Sequence, residues 1–149
     1  MYSLKLTGLF SSIRGICLSL IELAMRESKG GNCMFYRRKF YTVKNDFVDA
    51  FNEHFNKTNL PNQLKYGARL VGRWMKDNKD NTTEIFAIWE YDSYDNYIEI
   101  ENKVKGDSAH VKRITEWYER NGGREHVFKE YIIEVKNEAL VSTLNKNNK

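Results

Sequence analysis

The stretch Arg69-Leu-Val-Gly-Arg-Trp-Met-Lys-Asp-Asn-Lys-Asp-Asn-Thr-Thr-Glu-Ile-Phe-Ala-Ile-Trp-Glu-Tyr91 decides the fold. Two runs rich in aromatic and β-branched residues flank Asp77 to Thr83, a cluster of turn-formers with no apolar residue. That is the pattern of a β-hairpin. Strand side chains alternate between two faces. Uninterrupted alternation puts Leu70, Gly72 and Trp74 on one face and Val71, Arg73 and Met75 on the other, while Ile85, Ala87, Trp89 and Tyr91 oppose Phe86, Ile88 and Glu90. Neither face is consistently polar, so both need cover: helices on one side, a partner surface or ligand pocket on the other.

Upstream, Phe35 to Val43 reads as a first strand despite its Arg37-Arg38-Lys39 triplet. Asn45 or Asp46 is placed to cap a helix that gathers Phe47, Val48, Phe51 and Phe55 on one side, and Pro61 is expected to end it. Downstream, Asp92-Ser93 caps a helix carrying Tyr94, Tyr97, Ile98 and Val104. Asp107 and Ser108 start another with His110, Ile114 and Trp117, which Gly122-Gly123 ends. Val127 to Val135 then supplies the last strand. This β-α-β-β-α-β order is the ferredoxin-like, α+β arrangement, an antiparallel sheet with helices on one face. An open aromatic face is a large apolar patch, so two sheets are expected to pair face to face in a homodimer, with a ligand cavity between them.

Composition sets the bounds. At 149 residues and 41% hydrophobic content the chain supports one core. The formal charge of +4 is spread among acidic residues, and alternation places Arg38 opposite Arg37 and Lys39, so no basic stripe forms and nucleic acid is not the expected partner. Cys17 and Cys33 make no disulfide framework. His54, His110 and His126 lack the close spacing of metal motifs, so neither a metal nor another cofactor is implied.

Residues 1–33 stand apart. Leu4 to Met25 is apolar but broken by Arg14 and Glu22, which disfavours a membrane span and a signal peptide. Ile13, Ile16, Leu20 and Leu23 recur at helical spacing, as in an amphipathic helix. Lys29-Gly30-Gly31 is encodable by purine-rich codons that resemble a bacterial ribosome-binding site just ahead of Met34, the expected start. The expected organisation is an extension over 1–33, a domain over 34–137 and a loose polar tail over 138–149, in a cytoplasmic protein.

Three groups of residues together resemble the NIPSNAP family of the dimeric α/β-barrel superfamily. They are Tyr36 with Lys39-x-Tyr41-Thr42, Gly67-x-x-Leu70-Val71-Gly72-x-Trp74, and Ile88-Trp89-x-Tyr91-x-Ser93. The resemblance spans Met34 to Trp117 and implies a ferredoxin-like protomer that dimerises into a barrel. Where the family often has His before the third-strand Trp this chain has Ala87, and where Arg is usual after it stands Glu90. A family site built on that imidazole or guanidinium is absent here. The family has no single established reaction.

For chemistry, Lys39 and Arg73 are the candidates to hold an anionic ligand between the sheets, with Tyr41, Trp74 and Trp89 as apolar walls. Strand-borne cations also commonly reach solvent or a cross-strand carboxylate, and Glu90 is a candidate partner for Arg73. His54 and His110 are weak catalytic candidates: without an identified orienting partner, packing at a helix edge is the favoured reading of each. No nucleophile–base pair or phosphate loop is present. The expected function is binding of a small organic molecule in the barrel cavity. The alternatives are a cofactor-independent monooxygenase or isomerase, which a hydrogen-bonded His would favour, and a non-enzymatic, stress-associated scaffold.

Overall fold

In the computed structural model, which describes residues 34–144, strand β1 (Phe35–Lys44) leads into one continuous helical stretch. It comprises a 3-10 turn (Asn45–Phe47), helix α1 (Val48–His54), a π-helical turn (Phe55–Asn59) and helix α2 (Leu60–Lys65). Neither Asn45 nor Asp46 caps it: no side chain caps the first turn. The Asn45 Oδ1 instead accepts a 2.7 Å bond from the Thr83 hydroxyl, tying the helix entry to the hairpin. Pro61 does not stop the helix. It lies in the first turn of α2, directly after the widened π-helical turn, where a missing backbone N–H is tolerated. Gly67, at φ 98°, closes α2 in a conformation that side chains disfavour, and the Gly67 and Ala68 amides satisfy the carbonyls of Leu64 and Gln63.

The hairpin forms from β2 (Arg69–Asp77) and β3 (Thr82–Tyr91). Helix α3 (Tyr94–Gly106) begins at Ser93, whose hydroxyl accepts from the Asn96 amide, and α4 (Ser108–Arg120) begins at Asp107, whose carboxylate accepts from the His110 amide. After Gly122-Gly123 the chain forms a short helix, α5 (Arg124–Glu130), and only then β4 (Ile132–Leu140). The expected strand start at Val127 is therefore displaced by five residues, and the expected tail from 138 gives its first three residues to β4. The reading of residues 1–33 lies outside the described residues.

The sheet order is β2-β3-β1-β4, antiparallel throughout, which is the ferredoxin-like topology. Val43, Ile85 and Ile132 face the helices and meet Phe47, Val48, Phe51, Trp117 and Val127 in one core. One irregularity changes the faces of β2. A bulge between Leu70 and Gly72 puts Leu70 opposite Trp89 and Gly72 opposite Ile88. An inserted residue inverts the alternation beyond it. Leu70 thus joins Arg73 and Met75 on the helix side, and Gly72 and Trp74 stay on the open side.

Candidate functional site

Alternation along β1 turns Phe35, Arg37, Lys39, Tyr41 and Val43 toward the helices, opposite Tyr91, Trp89, Ala87, Ile85 and Thr83 of β3. Arg37 is only 6% exposed. Its guanidinium pairs with the Glu101 carboxylate of α3 at 3.2 Å and lies 5.1 Å from the Tyr97 ring. Lys39 follows on the same face. Burial, and then the neighbouring Arg37 charge, push its ammonium down to about 8. Burial holds the Tyr41 phenol well above its ordinary value, so it stays protonated, and its ring packs edge-on against Phe51.

From β2, Arg73 stands opposite Ala87 on this same side. Its guanidinium lies 4.3 Å from the Phe55 ring, burial lowers its pKa, and its Nη2 is buried without a hydrogen-bond partner. It does not meet Glu90, which is on the other face and bonds Tyr36 and Arg69. Trp89, 4% exposed, completes the wall beside Phe55. Lys39, Tyr41, Arg73 and Trp89 thus share one side of the sheet, the side that faces the helices.

This layer is electrostatically unbalanced. Arg37, Lys39 and Arg73 are three cations, and the carboxylate acting on the first two among the described residues is Glu101. Gln63 donates to Glu101 at 3.3 Å, yet its Oε1, the Arg37 Nε and the Tyr91 hydroxyl are buried without partners. Unpaired buried polar atoms cost about 1–3 kcal/mol each, so such a cluster calls for water or a ligand. Val135 and Asn137, on the helix-facing side of β4, are exposed, and Asn137 is the cross-strand neighbour of Lys39.

Trp74 is the exception. It lies on the open face, in a row with Phe86, Phe40 and Lys136 across the four strands. Its indole covers Gly72, where any Cβ would collide with it, and its ring centre is 5.5 Å from that of Phe86. Nearby, Tyr36, Val71, Ile88 and Leu140 border a shallow cavity of about 260 Å³.

His54 and His110 are both buried. The His54 imidazole stacks flat on Trp117, 4.0 Å between ring centres, beside a cleft of about 460 Å³ that Glu53, Lys57 and Arg120 also border. Burial, with His110 and Arg120 adding to it, pushes His54 down to about 4. Neither histidine's Nδ1 has a hydrogen-bond partner among the described residues, so neither forms an oriented base pair there. Among these residues no three His, Cys, Asp or Glu side chains gather to hold a metal ion, and no helix is long and apolar enough to cross a membrane. Sequence reading missed Arg37 and Glu101. The signal for Arg37 was its i, i+2, i+4 spacing with Lys39 and Tyr41; Glu101 gave none.

The NIPSNAP family model matches residues 36–122. No curated protein matches the chain. Among solved structures, a NIPSNAP-like domain protein from Burkholderia xenovorans is similar at 14% identity over 75% of this chain and 87% of that one, with a TM-score of 0.57. A NIPSNAP family protein from Agrobacterium tumefaciens is similar at 16% identity over 74% and 93%, with a TM-score of 0.58. A further NIPSNAP family protein from that organism, of unknown function, is similar at 19% identity over 73% and 87%, with a TM-score of 0.55. At these identities the likeness concerns the fold.

Proposed function

The chain belongs to the NIPSNAP family, and on that premise we propose that it is a homodimer in which each protomer binds a small organic anion between its sheet and its helices. The observation that carries the binding site is the charge imbalance: Arg37, Lys39 and Arg73 are drawn into a partly desolvated layer against Glu101. Buried charge is disfavoured unless it is paired. A carboxylate entering beside Lys39 adds a second negative charge to a layer with three cations and Glu101, with Tyr41 and Trp89 as walls. This moves the ligand from the space between two sheets to the helix side of one.

The open face supports the assembly. Trp74 and Val71, 47% and 55% exposed, stand beside Phe86 and Ile88, and an apolar surface of that kind is stabilised by a second copy. Cofactor-free catalysis by histidine has less support, because neither Nδ1 is held by an orienting group among the described residues.

Two measurements on the full chain test the proposal. Light scattering should return about twice the 17.6 kDa chain mass, and a monomer at micromolar concentration contradicts the assembly. Thermal stabilisation by a panel of small carboxylic acids should occur in the parent and be lost in Lys39→Met and Arg73→Met; equal stabilisation of all three contradicts the site.

A further inference from the structure

We propose that the cleft between α1 and the end of α4 is a second binding site, independent of the sheet-side layer, and that it takes a phosphomonoester of a small polyol, the class of a sugar phosphate. Its volume of about 460 Å³ lies within the range of small-molecule sites, about 300–1,000 Å³. Two helical faces build it. Glu53, His54, Lys57 and Thr58 follow one another at helical spacing along α1 and the π-helical turn, and Trp117, Arg120 and Asn121 do the same at the end of α4. A π-helical turn is rare and is frequently found at a functional site. Here it carries Lys57 and Thr58.

The donors at this cleft point to an oxyanion. His54 is 7% exposed, and its ring lies flat on the Trp117 indole, 4.0 Å between centres, which fixes the direction of its edge. Nδ1 is buried without a partner; Nε2 is not among the buried atoms and also has no hydrogen-bond partner among the described residues. A neutral imidazole carries one N–H, and a buried nitrogen with no acceptor is better left bare. The ring proton then sits on Nε2, which makes His54 a donor to the cleft it borders. Burial, with His110 and Arg120 adding to it, keeps that ring neutral at physiological pH. Arg120 makes no ion pair among the described residues, and Lys57 is held only by Glu53 in an exposed pair one helical turn away, a weak contact that a phosphate can share. The last carbonyls of α4 do not oppose an anion, because Trp117 O accepts from the Asn121 side chain, and Tyr118 O and Glu119 O from the amides that follow. Three donors suit the three terminal oxygens of a phosphate, and the guanidinium fork of Arg120 matches two of them. The Thr58 hydroxyl, the Asn121 Oδ1 and the Glu53 carboxylate remain for the hydroxyl groups of a polyol.

The test titrates glucose 6-phosphate into the full chain at low ionic strength, reading affinity by calorimetry and the ring signals of the three histidines by NMR. Binding should saturate and move the His54 signals while leaving those of His126 in place. Arg120→Gln, at an exposed position, should weaken it at least about tenfold, and Lys57→Gln should act in the same direction. Lys39→Met should bind as the parent does, which separates this cleft from the sheet-side layer. Inorganic phosphate, which lacks the polyol, and glucuronate, which has a carboxylate at the phosphorylated carbon, should each bind at least about tenfold more weakly. An absence of binding, or binding that Arg120→Gln leaves unchanged, overturns the site. Equal affinity for inorganic phosphate overturns the polyol, and equal affinity for glucuronate overturns the phosphate. A loss in Lys39→Met without one in Arg120→Gln moves the phosphate to the sheet-side layer and overturns this inference alone.

Discussion

The Arg37 guanidinium and the Glu101 carboxylate meet at 3.2 Å between β1 and α3, both largely shielded from water. Glu101 is thereby the counter-charge for a layer that also holds Lys39 and Arg73. Among the described residues the layer thus holds one negative charge for three positive ones.

Glu101→Gln should be costly. Removing one partner of a buried pair typically costs about 3–5 kcal/mol, and here it also strands the Lys39 charge. Urea denaturation should show a loss near 3 kcal/mol, partly restored at high concentrations of a small carboxylate. A loss below about 1 kcal/mol would mean that solvent already screens the layer.

The two hairpin tryptophans should behave oppositely. Trp89 is 4% exposed on the helix side, so Trp89→Ala removes a large apolar body and should destabilise by about 3–5 kcal/mol. Trp74 is 47% exposed on the open face. Trp74→Ser should leave each protomer folded but shift the light-scattering mass toward the monomer. Gly72→Val, which collides with the Trp74 indole, should weaken the dimer in the same way. A dimer as tight as the parent's in both variants excludes this face.

Stability should fall with acid through His54. Burial pushes its folded pKa down to about 4, below the ordinary histidine value, so the unfolded chain takes up the proton more readily. His54 is neutral in both states well above pH 6.5, and the penalty grows as pH falls through that value toward about 4. His110 is shifted the same way by burial. His54→Phe should flatten the decline measured between pH 7 and 5 without abolishing it. An unchanged slope would place His54 in contact with water.

A chain starting at Met34 should fold by itself, because residues 34–144 hold a four-stranded sheet and the buried core packed on it. Its melting temperature should lie within a few degrees of the full chain's. A fall beyond about ten degrees would show that residues 1–33 pack on the domain.

Much of this architecture was legible because it depends on periodicity. Trp89 and Ile85 on alternate positions, Ser93 and Asp107 ahead of helical runs, and Gly67 after one each act locally, and local signals survive in a linear sequence. What was hidden depends on departures from regularity or on distant contacts. Pro61 reads as a stop unless the preceding turn widens to a π-helical one. The extra residue at the Leu70–Gly72 bulge inverts part of β2, which no alternation count anticipates. Val127 and Phe128 look strand-like, but α5 buries Val127 alone and leaves Phe128 at 37% exposure. Four of the five residues chosen for binding do gather on one side. Which side that is, and that Glu101 from 64 residues farther along would meet Arg37, is tertiary information.

The measurement that bears most directly on a helix-side anion site is calorimetric titration of the most stabilising acid from a carboxylic-acid panel into the parent, Arg73→Met and Trp74→Ala. A charge-assisted hydrogen bond contributes about 1.5–3 kcal/mol, so Arg73→Met should weaken binding at least about tenfold. Trp74→Ala, altered only on the open face, should bind within about twofold of the parent. The reverse ordering, with Trp74 needed and Arg73 dispensable, would place the ligand between the sheets, and a panel in which no acid binds the parent would contradict the site altogether.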